Sequence, residues 1–243
     1  MSTNPIKEAL DKSQPFQPTD GVAPPLEIHS ASDFLQVPPQ PRSFLLEDTL
    51  PLGEVGLLAG ASGIGKSMLT MEIGRAVKSG SSVCGGLYHV STPGNVLIIN
   101  AEDDSAELGR RYWSLHHATV SQSNVIELPT ESNVSKPEPG PGELHFCSLK
   151  GRTAGLMDEQ GELSETFNQV KAAISQIGEL RLIIFDPMRR LFHGNEDSSD
   201  TAARFIHVMD ELAADTGATI LLVHHLSKAS ASKGSLVLIC IQN

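Results

Sequence analysis

VGLLAGASGIGKSMLT, running from Val55 to Thr70, is the stretch on which the fold turns. Its first residues, VGLLA, form a short apolar run ending in glycine, as a buried strand does. The residues Gly60-Ala-Ser-Gly-Ile-Gly65-Lys66-Ser67 then satisfy GxxxxGK[ST] at every fixed position. Beyond them Met68, Leu69, Ile73, Ala76 and Val77 recur at helical spacing. Strand, glycine-rich loop and helix, in that order, are the context in which this motif grips phosphate. Backbone N–H groups of Gly60, Ala61, Ser62, Gly63, Ile64 and Gly65, continuing through Lys66, Ser67 and Met68, would wrap the phosphates of ATP at the positive end of the helix dipole. Lys66 would reach the β and γ phosphates, and Ser67 would give its hydroxyl to Mg²⁺. An ordinary glycine-rich turn is the competing reading, and it leaves the lysine and the flanking elements unexplained.

Three further runs have the same character: NVLIINAEDD (Asn95 to Asp104), RLIIFDPMRR (Arg181 to Arg190) and ATILLVHHLSK (Ala218 to Lys228). Near-continuous Val, Ile, Leu and Phe implies strands buried on both faces, as in a parallel sheet. GSLVLICIQ would add a fifth strand, and helices are expected over Ala106–Ala118, Leu163–Ile177 and Thr201–Asp215. This alternation predicts a doubly wound α/β domain with ligands at the carboxyl ends of the strands. Leu128 to Leu149 holds too many prolines and glycines for regular structure and reads as a surface loop.

Acidic and basic residues cluster at those strand ends. Asp186 closes RLIIFD, where a carboxylate can hold Mg²⁺ through water. Glu102 follows NVLIINA; if that strand neighbours the phosphate loop, Glu102 can orient and deprotonate an attacking water, and otherwise it belongs to a solvated acidic turn. His224 and His225 end the last long strand, and one of them could sense the γ phosphate, although a structural histidine is commoner. Arg189, Arg190, Lys228 and Lys233 are the basic residues clustered near this edge, available to phosphates of ATP or of nucleic acid or simply solvated. Tyr112 and Trp113 are adjacent on one helix, so only one can face the core, and packing is favoured over base stacking.

Composition sets the bounds. The 243 residues, 40% of them hydrophobic, suffice for one α/β core, and the formal charge of −11 gives no global attraction to nucleic acid or anionic lipid. Residues 1–42, rich in Pro and Ser, read as a disordered arm, leaving 43–243 as the folded domain. Three scattered cysteines without a CxxC pair imply free, mostly buried thiols. With no bilayer-length apolar run and no signal-like N-terminus, the expectation is a cytoplasmic protein with no membrane partner.

Together GASGIGKS, NAEDD, LIIFDPMRRLFHGNEDSSD, ELAADTGATILLVHHLSKA and ASKGSLVL resemble the RepA-type branch of RecA-fold P-loop ATPases of the AAA type, whose best-known members are hexameric helicases that replicate plasmids. The likeness spans about Pro41 to Leu238. It implies a RecA-like P-loop NTPase fold with helices on both faces of a mainly parallel sheet. It also implies Lys66 and Ser67 on phosphate and Mg²⁺, Glu102 as catalytic base, Asp186 on Mg²⁺ and His224 or His225 as sensor. A homo-oligomeric ring follows from the same likeness, with an arginine finger from a neighbouring subunit. Loops over His193 to Asp200 and Ser227 to Gly234 would then grip single-stranded DNA. Two departures stand out: Lys233 in KGSL replaces the arginine of the family's RGSS, and the sequence stops early, as if truncated at the C-terminus. An ATP-driven helicase is therefore one expectation. An ATP-binding regulatory or accessory protein without motor activity is the other.

Overall fold

The computed structural model describes residues 28–120, 140–158, 160–192, 199–226 and 236–241. The chain divides into two units between Pro41 and Arg42. Within the first, the described part holds one short helix, α1 (Ala31–Phe34), with no buried side chain. Asp33 accepts a hydrogen bond from the backbone N–H of Ser30 at 2.8 Å, which satisfies one donor at the helix start.

The second unit is built on a six-stranded sheet. In chain order its elements are β1 (Phe44–Leu46), β2 (Leu50–Pro51), β3 (Val55–Gly60), α2 (Lys66–Ser79), β4 (Ser82–Val83), β5 (Tyr88–His89), β6 (Asn95–Asn100), α3 (Ser105–Val120), β7 (Leu144–Ser148), α4 (Glu165–Ile174), β8 (Leu180–Asp186), α5 (Met188–Leu191), α6 (Ser199–Thr216), β9 (Thr219–His225) and β10 (Leu236–Ile241). The sheet runs β10-β3-β9-β8-β6-β7. All neighbours are parallel except β10, which lies antiparallel on β3. The α/β expectation is met.

Alternation along the strands feeds two cores. Leu182 and Ile184 of β8, Val96 and Ile98 of β6, and Leu221 and Val223 of β9 pack with Met71, Ile73, Ala76 and Val77 of α2 and Leu108 of α3. The odd-and-even partners Ile183, Phe185, Leu97, Ile99, Ile220 and Leu222 pack instead with Phe167, Val170 and Ile174 of α4 and Phe205, Met209 and Leu212 of α6. Because side chains on a strand alternate between faces, a strand covered on both sides must be apolar throughout. Helix α2 lies close to the sheet at Gly74, where an added Cβ would come within 3.2 Å of the Leu144 side chain and 3.4 Å of Val96.

One sequence expectation is corrected here. The stretch Leu128–Leu149 is not irregular throughout: β7 pairs in parallel with β6, from Val96 opposite Leu144 to Asn100 opposite Ser148. The prolines and glycines lie ahead of LHFCS, and those five half-buried residues form the edge strand through their pairing with β6. Among the thiols, Cys147 is half-buried, but Cys84 is exposed, against the expectation of buried cysteines. Tyr112 packs on Phe146 with ring centroids 5.4 Å apart, while Trp113 faces outward and stacks on His117 at 3.9 Å. Among the described residues no helix is long and apolar enough to cross a membrane.

Candidate nucleotide site

The phosphate loop leaves β3 at Gly60 and enters α2 at Lys66. Gly63 and Gly65 have φ of +80° and +90°, a conformation other residues reach only with strain. Nothing lies within 4 Å of an added Cβ at Gly65, so the requirement there comes from the backbone and not from crowding. Gly65→Ala should therefore lower stability by about 1–2 kcal/mol, the left-handed penalty, read as a fall in thermal midpoint. An unchanged midpoint would mean that the loop simply adopts another path.

Lys66 is buried within this turn. Its ammonium donates to the carbonyls of Gly60 at 2.9 Å and Ala61 at 2.7 Å and meets Nδ1 of His225 at 3.1 Å. Its three protons thus have three partners. Burial pulls the Lys66 pKa down, while the carboxylates of Asp186 and Glu102 oppose that shift.

Strand parity decides which groups share this face. Asp186 follows Leu182 and Ile184 on the α2 side, and Asn100 stands opposite it, following Val96 and Ile98. His225 follows Leu221 and Val223 on that same side, in register with Gly60, whereas His224 belongs to the alternate face with Ile220 and Leu222. The histidine brought to the loop is His225. Burial and the neighbouring Lys66 charge hold its pKa below 6.5, so the ring is neutral at physiological pH and Nδ1 can accept from Lys66.

Asp186 is 2% exposed and accepts a hydrogen bond from the Ser67 hydroxyl. Burial, with Glu102 and Asp103 adding to it, pushes its pKa from 3.8 up to about 6, against the pull of Ser67 and Lys66. A carboxyl shifted upward on folding costs nothing below about pH 4, where both states are protonated. Its cost grows as pH rises towards 6 and is complete above that. Asp186→Asn should thus stabilise the nucleotide-free protein at pH 7.5 by ~2–3 kcal/mol and by nothing at pH 3.5. Denaturant midpoints at the two pH values measure this, and an equal effect at both would exclude the buried charge as its cause.

Hydroxyl and carboxylate oxygens concentrated among several negative charges are the donors a hard divalent cation takes, so Ser67 and Asp186 fit Mg²⁺. Among the described residues no cluster of three or more His, Cys, Asp or Glu is arranged as a metal cage. Mg²⁺ bound beside nucleotide draws most of its ligands from phosphate and water, so two protein oxygens suffice.

Glu102 reaches this site by a route the sequence did not show. Its strand, β6, is separated from β3 by β8 and β9, so the condition of a neighbouring strand is not met. It nevertheless acts electrostatically on both Lys66 and Asp186. The turn after β6 is held by Asn100, whose buried Oδ1 accepts from the N–H groups of Glu102 at 2.9 Å and Asp103 at 2.7 Å. This Asx turn was missed, although Asn two residues before an acidic run is its recognisable signal. The acidic run then separates into different uses. Asp103 pairs with Arg111 at 2.6 Å, Asp104 accepts from the Glu107 N–H at the start of α3, and Glu102 meets Arg190 at 3.6 Å.

Arg189 and Arg190 are exposed on α5, just past Asp186, and Arg189 adds positive charge near His225. Lys228 and Lys233 lie outside the described residues, as do 193–198 and 227–235, so both DNA-loop expectations fall largely there.

A family model described as an AAA domain matches residues 23–231. That match and the helix-flanked, mostly parallel sheet agree on a RecA-like P-loop NTPase fold.

Proposed function

Because the chain belongs to the AAA-domain family of P-loop ATPases, we propose that it hydrolyses ATP in the manner of the RepA-type branch and works on single-stranded DNA as a homo-oligomer, a hexamer by that resemblance. The observation that carries the ATPase part is the convergence of Lys66, Ser67, Asp186, His225 and Glu102 on one end of one sheet face. The DNA part is supported by the motif resemblance and by exposed Arg189 and Arg190 beside the site.

In this reading the loop N–H groups and Lys66 hold the β and γ phosphates, and Lys66 gives up one carbonyl partner to do so. Ser67 and Asp186 would hold Mg²⁺, which would supply neutralisation of charge on the phosphate oxygens. Glu102 orients water and takes its proton as the oxygen attacks the γ phosphorus and the bond to the β–γ bridging oxygen breaks. His225 would report the change at Lys66, since its Nδ1 lies 3.1 Å from the Lys66 ammonium. Lys233 or Arg190 from a neighbouring subunit would stand nearest the arginine-finger role, with Lys228 and Arg189 as further phosphate contacts. Lysine there lacks the planar fork of arginine.

Steady-state phosphate release at low salt, with and without single-stranded DNA and with Lys66→Ala as blank, tests the proposal. Turnover stimulated by DNA is expected. ATP binding without stimulated turnover would replace the motor reading with the regulatory or accessory one.

A further inference from the structure

Asn100 closes β6, following Val96 and Ile98 onto the face that α2 covers, in register with Asp186 of β8 on one side and Ser148 of β7 on the other. It is 2% exposed. Because its Oδ1 accepts from the N–H groups of both Glu102 and Asp103, the amide can have only one orientation: the oxygen serves the turn, and Nδ2 carries its two protons elsewhere. Nδ2 donates to none of the described residues. Its neighbours across the sheet are otherwise engaged, Asp186 with the Ser67 hydroxyl and the Ser148 hydroxyl with the Asp103 carbonyl at 2.7 Å. The nitrogen is nevertheless within reach of a ligand, since the fully buried side-chain atoms without a partner among the described residues are His117 Nε2 and Arg181 Nε.

The turn itself needs only an acceptor, and an aspartate would supply one equally well. What asparagine adds is a pair of donors, without a further negative charge beside Asp186, Glu102 and Asp103. Donors on a side chain so deeply buried are normally matched, and the acceptor here comes from what the site binds. We infer that Asn100 contacts substrate: Nδ2 donates to an oxygen of the γ phosphate, so that the side chain holding the Glu102 turn also distinguishes a nucleoside triphosphate from a diphosphate. The inference rests on the ATPase reading above and adds to it a source of preference for ATP over ADP. Lys66, which reaches both the β and the γ phosphate in that reading, does not make this distinction alone.

The test measures equilibrium binding of ADP and of a non-hydrolysable ATP analogue, each with Mg²⁺, to the full chain. Asn100→Asp keeps an acceptor for the Glu102 and Asp103 N–H groups and removes the donors. It should weaken the analogue at least about tenfold, as loss of a hydrogen bond to a charged group does, while ADP stays within about twofold. Asn100→Ala adds no charge and should show the same selective loss, with a further fall in turnover because the turn is no longer held. A purely structural role would lower turnover through Glu102 but would not move the ratio of analogue to ADP affinity. Equal weakening of both nucleotides, or an unchanged ratio in either folded variant, overturns the inference. Thermal midpoints establish folding, and if the Ala chain does not fold, the Asp chain decides. A wild-type chain that binds both nucleotides but releases no phosphate above the Lys66→Ala blank would refute the ATPase reading instead, since the affinity ratio needs no turnover. A wild-type chain that binds neither nucleotide overturns both.

Discussion

Glu102→Gln should cut ATP turnover by about 10²–10⁴-fold while ATP still binds, the range lost with a general base. Gln keeps the volume and the hydrogen-bonding oxygen of Glu but cannot take a proton at neutral pH. The turn that presents residue 102 does not depend on its side chain, since Asn100 holds the Glu102 and Asp103 N–H groups and Arg111 holds Asp103. The backbone should therefore stay in place, and the loss should fall on the chemical step. Single-turnover phosphate release beside equilibrium binding of labelled ATP separates the two quantities. Turnover that falls only in proportion to ATP affinity would make Glu102 a binding or metal residue and remove the water-activation role.

Lys66→Ala should bring hydrolysis down by at least about 10²–10³-fold, as for loss of a preorganised charge at the reacting group. Nucleotide affinity should fall as well, by about 10–150-fold, because a hydrogen bond to a charged group contributes ~1.5–3 kcal/mol. The fold should survive. The lost ammonium takes a donor from the Ala61 carbonyl, from His225 and from the Gly60 carbonyl, which keeps the Leu226 N–H at 3.0 Å, but it also removes a buried charge, and these terms oppose one another. Circular dichroism and the thermal midpoint check that balance, while phosphate release checks the chemistry. Full turnover in a folded Lys66→Ala protein would remove the loop from the active site altogether.

The contrast between Lys66 and Glu102 explains how far the sequence could be read. Lys66, Ser67 and their glycines act through contacts within a few residues of one another, so a contiguous pattern contains nearly all the information. Glu102 depends on three strands, α2 and the Asx turn at Asn100 to come near Lys66, and no local spacing encodes that. The condition of a strand neighbouring the loop is not met for this reason, although Glu102 acts electrostatically on Lys66 all the same. The strand LHFCS was overlooked on similar grounds: five residues carry a weak periodic signal, and pairing with β6 supplies what propensity does not.

By itself, then, the amino-acid sequence determined the phosphate loop between strand and helix, the apolar strands of a parallel sheet and the acidic and basic residues at their carboxyl ends. Each of these is set by local periodicity or by backbone conformations that only certain residues tolerate. Tertiary structure alone decided that His225 and not His224 meets Lys66, and that Arg190 meets Glu102. The reason lies in β9: its two faces are equally apolar, so periodicity cannot say which one α2 covers, and packing of the helices makes that choice.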